Sequence, residues 1–98
     1  MSNLSVADIM HVMNQRYPLN TAEDWDSVGL VVGNVDAPVR RVLFTVDPVM
    51  DVIQEAIALG ADCIIAHHPL LLRGVDTVAG TTAKGRIIHQ CIKHDIAL

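Results

Sequence analysis

The chain has few aromatic and few basic side chains, and both shortages argue against one class of partner. Its 98 residues include one Trp, one Tyr and one Phe, with 7 Lys and Arg against 11 Asp and Glu, for a formal charge of -4. Proteins that bind nucleic acid need a basic surface for the phosphates and aromatic rings that stack on the bases. We therefore expect no direct binding of nucleic acid.

Long apolar runs and targeting signals are also missing. No stretch approaches the roughly 20 apolar residues that span a bilayer, and the N-terminus lacks the basic start and apolar core of a signal peptide. We therefore expect no membrane partner and a cytoplasmic location. The two cysteines, Cys63 in a strand pattern and Cys91 in a helix pattern, are typical of buried reduced thiols.

What the sequence does contain is an alternation of helix and strand patterns. Runs rich in β-branched residues predict strands at "VGLVVG" and "RRVLFTV", joined by a turn at "NVDAP", and another strand at "DCIIA". A helical apolar stripe lies between Asp47-Pro48, a candidate cap with a first-turn proline, and Gly60. Residues 41–66 thus form a strand-helix-strand unit, and we expect a right-handed parallel crossover. The fold class predicted is α/β, a layered, mostly parallel sheet with flanking helices.

The final segment, "DIAL" at Asp95 to Leu98, reads as the start of a further strand. We expect that strand to be truncated and residues 1–98 to form a single α/β domain, the N-terminal part of a longer fold. An incomplete strand exposes edge amides and apolar surface, so we also predict a homo-oligomer. Its contacts would involve "DIAL" or the neighbouring helix with Ile88 and Ile92.

The stretch "ADCIIAHHPLLL" ends its apolar run on two histidines, His67 and His68. Ligands of open parallel sheets bind outside the carboxyl ends of the strands, and imidazole is a common metal ligand. Asp47 follows a strand that the crossover should bring close. Since successive side chains of an extended segment point to opposite faces, chelation of one ion by both rings is difficult. Two ions, or one ion with an orienting partner, fit better.

Each of these residues also has a structural interpretation. The two histidines could simply hydrogen-bond to loop carbonyls. Asp47 could cap the following helix, or accept a hydrogen bond from a histidine and orient its ring. Asp26 could reach the crevice from the loop "EDWDS", or form a turn beside Trp25. The residue pattern leaves these alternatives open.

Four segments together resemble a known family. "AEDWDSVGLVVG", "VLFTVD", "EAIALGADCIIAHHPLL" and "KGRIIHQCIKHDIAL" have the order and spacing found in the N-terminal part of the GTP cyclohydrolase I type 2 homologues, or NIF-three-like family. The resemblance covers essentially the whole chain. It implies an α/β core with two divalent metal ions per subunit, of Zn, Mn or Fe, and carries metal-ligand roles onto His67 and His68. It also implies a ring-shaped homo-oligomer.

The same resemblance indicates a function. The family's remaining ligands, an aspartate and a later histidine and glutamate, lie outside residues 1–98. The chain would therefore be the N-terminal part of a divalent-metal-dependent hydrolase-like protein that is inactive alone. A GTP cyclohydrolase-type ring opening of a nucleotide or other small molecule is the implied reaction. The alternative is a non-enzymatic metal-binding interaction or regulatory module.

Overall fold

The computed structural model of the chain describes residues 4–16, 29–72 and 74–98. Its elements, in chain order, are β1 (Leu4–Ser5), α1 (Val6–Arg16), β2 (Pro38–Val39), β3 (Val42–Thr45), α2 (Met50–Leu59), β4 (Cys63–Ala66) and α3 (Ala83–Lys93). None of the helices in these described ranges is long and apolar enough to cross a membrane. The arrangement is the predicted mixed α/β fold.

The predicted parallel unit is present. Strands β3 and β4 pair in parallel, with Val42 opposite Cys63 and Thr45 opposite Ala66, and α2 connects them. Gly60 ends α2 in the left-handed conformation at φ 69°, where its N–H bonds to carbonyls of the last turn. Because the strands are parallel, the segments after Thr45 and Ala66 leave the sheet at the same edge.

Strand β4 divides the apolar residues between two cores. Cys63 packs on one face with Val6 of α1, while Ile64 packs on the other face with Ile53 of α2 and Ile87 of α3. This alternation follows the period of two in a strand. The helices therefore form layers on both faces of the short sheet, α1 on one side and α2 with α3 on the other.

The C-terminal segment is paired on both sides. Ala97 forms a parallel bridge with Cys63. Leu98 donates its N–H to the Val32 carbonyl at 2.9 Å and accepts from the Val32 N–H at 3.2 Å. Ala97 is 3% exposed and Leu98 is 9% exposed. The expected unpaired edge and open apolar face at "DIAL" are therefore wrong, since the segment pairs with Cys63 on one side and with Val32 on the other.

The neighbouring helix α3 is also covered on the face that we expected to be open. Ile88 belongs to the buried core, whereas Ile92 is 63% exposed. Ile88 and Ile92 therefore do not form the one exposed contact surface that we predicted. Of the two, only Ile92 is available to another molecule.

The stretch "VGLVVG" does not form the predicted strand over its described residues, and no hairpin joins it to "RRVLFTV". Instead β2 pairs antiparallel with β1. Val31 and Val32 both donate N–H groups to the Leu98 carbonyl. Gly33 has a φ of 122°, and a Cβ there would lie 2.9 Å from Cβ of Ala97. The local bend and this close approach replace a regular strand.

Candidate functional site

The crossover brings Asp47 to His68. Nδ1 of His68 lies 2.7 Å from Oδ1 of Asp47. Two backbone bonds extend the β3–β4 pairing beyond the strands, from the His67 N–H to the Thr45 carbonyl at 3.0 Å and from the His68 N–H to the Val46 carbonyl at 2.8 Å. The backbone ladder therefore fixes the position at which the carboxylate and the imidazole meet.

Asp47 does not cap α2. That helix begins at Met50, and its N-cap residue, Val49, makes no side-chain capping bond. Asp47 lies two residues before the cap, and the buried Pro48 separates it from Val49. The capping interpretation is therefore wrong, and the carboxylate contacts the histidine ring instead.

The two histidine rings lie on the same side of the chain end. Their centroids are 5.0 Å apart and the ring planes are tilted by 41°. Strand β4 ends at Ala66, so the strict alternation of side chains no longer applies to the residues that follow. The expectation that His67 and His68 point to opposite faces is wrong, because the two ring centroids lie too close together for side chains on opposite faces of a strand.

This cavity, the α1–β4 cavity, has a volume of about 210 Å³ and follows β4 along its length. Apolar side chains of α1 and β4 form its walls, and the exposed imidazoles of His67 and His68 lie where β4 ends. The wall includes Ile9, Met10, Met13 and Ile65. The sequence of α1 did not predict this cavity, because apolar residues recur with the same helical spacing whether they line a cavity or pack in a core.

Cys63 also lines the cavity, and its surroundings disfavour the thiolate form. Burial, and secondly the negative charge of Asp62, raise the pKa of the Cys63 thiol above its ordinary 9.0. Metals bind the thiolate, which this environment disfavours. The prediction of two buried reduced thiols is confirmed, because Cys63 and Cys91 are both free and buried.

The other histidines of the described residues lie away from the site. Asp26 lies outside the described residues. His11, His89 and His94 are exposed and do not line the α1–β4 cavity. Over 4–16, 29–72 and 74–98, no group of three or more His, Cys, Asp or Glu side chains could hold a metal ion. His67, His68 and Asp47 therefore do not form a complete set of metal ligands by themselves.

Fold and site define an α/β protein with paired histidines at the carboxyl end of a parallel strand pair. The chain belongs to the Duf34/NIF3 (NGG1p interacting factor 3) family, whose model matches residues 4–98.

Proteins with similar sequences share the name GTP cyclohydrolase 1 type 2 homolog. The chain is 50% identical over 93 residues to a GTP cyclohydrolase 1 type 2 homolog of Streptomyces coelicolor, covering 95% of this chain and 33% of that protein. It is 41% identical over 95 residues to one of Staphylococcus aureus, covering 97% of this chain and 26% of that protein. The chain thus spans about a quarter to a third of these relatives.

Solved structures agree with the fold. The Staphylococcus aureus hypothetical protein SA1388 matches with a TM-score of 0.93 and 41% identity, over 100% of this chain and 28% of that one. A Bacillus cereus protein related to NIF3 matches with a TM-score of 0.91 and 39% identity, over 99% of this chain and 27% of that one. Both likenesses extend over essentially the whole chain.

Proposed function

We propose that the chain is the N-terminal part of a divalent-metal-dependent hydrolase-like protein in which His67 and His68 are metal ligands. The 2.7 Å contact between Asp47 and His68 carries the proposal. An ionised carboxylate can only accept a hydrogen bond, so in the neutral ring of His68 Nδ1 bears the proton and Nε2 keeps its lone pair. Such carboxylate–imidazole pairs are a recurrent way of orienting a metal ligand.

The donor set suits the metals that the proposal requires. Imidazole nitrogen suits Zn and Fe ions, whereas Mn favours oxygen ligands that further residues would have to supply, and both rings are exposed and close to each other. Catalytic zinc uses three protein ligands. The remaining ligands, and the second ion of a two-ion centre, would therefore depend on residues beyond the described set. A bound ion would lower the pKa of its water and supply hydroxide near neutral pH.

The proposal also covers the reaction, the cellular location and the oligomeric state. A GTP cyclohydrolase-type ring opening of a nucleotide or other small molecule is suggested by the name of the relatives. With two imidazoles alone, we expect the isolated chain to be inactive. We place the protein in the cytoplasm and propose a homo-oligomer, for which the exposed Phe44 and Ile92 side chains offer apolar contact surface.

A non-enzymatic metal-binding or regulatory module is the second candidate. It is favoured by the family description, which refers to an interacting factor. Metal binding without turnover of any nucleotide by a longer polypeptide that contains this segment would support the module. Turnover lost on His67→Ala would support the enzyme.

Calorimetric titration of the chain with Zn²⁺ and Mn²⁺ tests the metal site. We expect weak binding that disappears in the double variant His67→Ala, His68→Ala. The matched control, His89→Ala with His94→Ala, removes two exposed histidines away from the site and should bind as the unchanged chain does. Binding that persists in the first variant, or is lost only in the control, would place the ligands elsewhere.

A further inference from the structure

Strand β3 has one backbone edge that no strand of the described chain occupies. Among the residues that the structure describes, β3 pairs with β4 alone. The Thr45 carbonyl accepts the His67 N–H, so the backbone groups of Thr45 point toward β4. Because successive residues of a strand direct these groups to alternate sides, the N–H and C=O groups of Val42 and Phe44 point to the opposite edge. This outer edge can therefore bond to a further strand.

The side chains at the outer edge of β3 are apolar and exposed. Phe44 is 69% exposed, and Val46, which follows the strand, is 56% exposed. Proteins commonly protect an edge strand with a charged residue, a proline or a bulge. The four residues of β3 include no charge and no proline, and their register with β4 is regular throughout. The edge therefore suits a partner strand better than it suits water.

The two ends of β3 carry opposite charges. The exposed Arg40 and Arg41 precede the strand, and Asp47, with a side chain that is 60% exposed, follows it. Asp62 offsets only one of the two arginines at the amino end. Antiparallel pairing of two copies of β3 about a twofold axis places the basic end of each copy beside the acidic end of the other. Parallel pairing would instead bring like charges together, which is unfavourable.

We infer that two copies of this chain associate through the outer edges of their β3 strands, antiparallel and about a twofold axis near Phe44. The contact bonds the edge amides of the two strands and buries both Phe44 rings. This inference deepens the proposed function and rests on the homo-oligomer proposed there. It requires no metal ion, and Ile92 of α3 takes no part in it.

Phe44→Pro tests the strand pairing, because it removes an N–H group from the outer edge only. The ladder with β4 uses the neighbouring residues, and proline is tolerated where the missing N–H would face away from the sheet. Light scattering at high micromolar concentration should give twice the 10.6 kDa mass for the unchanged chain and the single mass for Phe44→Pro. A monomeric unchanged chain would overturn the inference, and so would a dimeric Phe44→Pro variant.

Phe44→Lys keeps the backbone donor and tests the side chain. Two lysines would meet near the twofold axis, so we expect dimerisation to weaken at least about tenfold. The matched control, Ile92→Lys, places the same charge at another apolar side chain, which is 63% exposed, and should dimerise as the unchanged chain does. Circular dichroism checks that each variant folds. A dimer that only Ile92→Lys abolishes would overturn the edge contact and leave the proposed oligomer intact.

Amide hydrogen exchange of the unchanged chain gives a result that does not depend on how the variants fold. The Phe44 amide should gain protection as the protein concentration rises, whereas the Thr45 amide, which faces β4, should be protected at every concentration. Added salt should lower the protection of Phe44, because the charged strand ends are exposed. Protection of Phe44 that does not change with concentration would overturn the inference.

A zinc titration separates this inference from the metal site of the proposed function. The variant His67→Ala, His68→Ala should lose zinc binding and remain dimeric. A dimeric unchanged chain that binds no zinc would contradict the metal site alone. A monomeric unchanged chain that binds zinc at the two histidines would contradict the edge contact alone.

Discussion

The two ends of the β3–β4 pair are both joined by a carboxylate, but the carboxylates bind different donors. At the amino end, Oδ2 of Asp62 accepts from the backbone N–H groups of Arg40 at 2.8 Å and Arg41 at 3.2 Å. At the carboxyl end, Oδ1 of Asp47 contacts Nδ1 of His68 at 2.7 Å. A backbone N–H has no further atom with which to bind a ligand, whereas an imidazole that is bound through one nitrogen keeps the other nitrogen available.

The two ends of the strand pair also differ in solvent exposure. Asp62 is half-buried beside the buried Cys63, and Nη1 of Arg41 donates to the Leu59 carbonyl at 2.6 Å. The side chains of Asp47 and His68 are 60% and 58% exposed. The amino end therefore stabilises the fold, and the carboxyl end presents side chains to a ligand.

The largest effect should come from Asp62→Ala at the amino end. The substitution leaves two backbone N–H groups without their charged acceptor, and hydrogen bonds to charged groups contribute about 1.5–3 kcal/mol. We expect the free energy of unfolding in urea to fall by about this amount. Asp47→Ala, the equivalent change at the exposed end, should stay within about 0.5 kcal/mol. Equal losses at the two ends would remove the distinction between them.

A smaller effect should come from Asp47→Ala on metal affinity. Loss of a group that orients a metal ligand weakens binding by about 10–100-fold, and an exposed pair favours the lower end, about 1.4 kcal/mol. Zinc affinity measured by calorimetry should therefore fall about tenfold, while Asp62→Asn leaves it unchanged. Zinc affinity that does not respond to Asp47→Ala would exclude the orienting role.

The smallest effect concerns the thiols. Burial raises the pKa of Cys91 to about 11 and, with the charge of Asp62, raises that of Cys63. Both should resist iodoacetamide at pH 8 in the folded chain and react when urea is added. Because the unfolded thiols ionise at lower pH than the folded ones, stability should fall as pH rises above about 9. Mass spectrometry of the native chain would detect premature labelling, which would contradict the burial.

Local signals predicted the part of the fold that depends on neighbours in sequence. The β-branched runs gave β3 and β4, and Gly60 ends α2 as expected. The pairing of Leu98 with Val32 was not predicted, because it joins residues far apart in sequence. The β1–β2 pair has only two residues per strand, too few for a period-two pattern.

The site, too, was predicted only in part from the sequence. Parallel topology alone brought Asp47 and His67 to one edge, so their approach could be expected. Which atoms of Asp47 and His68 meet depends on how the backbone continues beyond the strands, which no local pattern records. The wall residue Met13 looked like part of a core stripe, because sequence spacing does not show whether the opposite surface is in contact.

The proton and metal positions on the ring of His68 decide whether Asp47 orients this ring as a metal ligand. Long-range ¹H–¹⁵N NMR of the metal-free chain distinguishes a protonated Nδ1 from a protonated Nε2, and added Zn²⁺ shows which nitrogen it binds. We predict a proton on Nδ1, held by Asp47, and zinc-dependent shifts of His67 and of Nε2 of His68. A proton on Nε2 of His68, or zinc shifts confined to His11, His89 or His94, would contradict it.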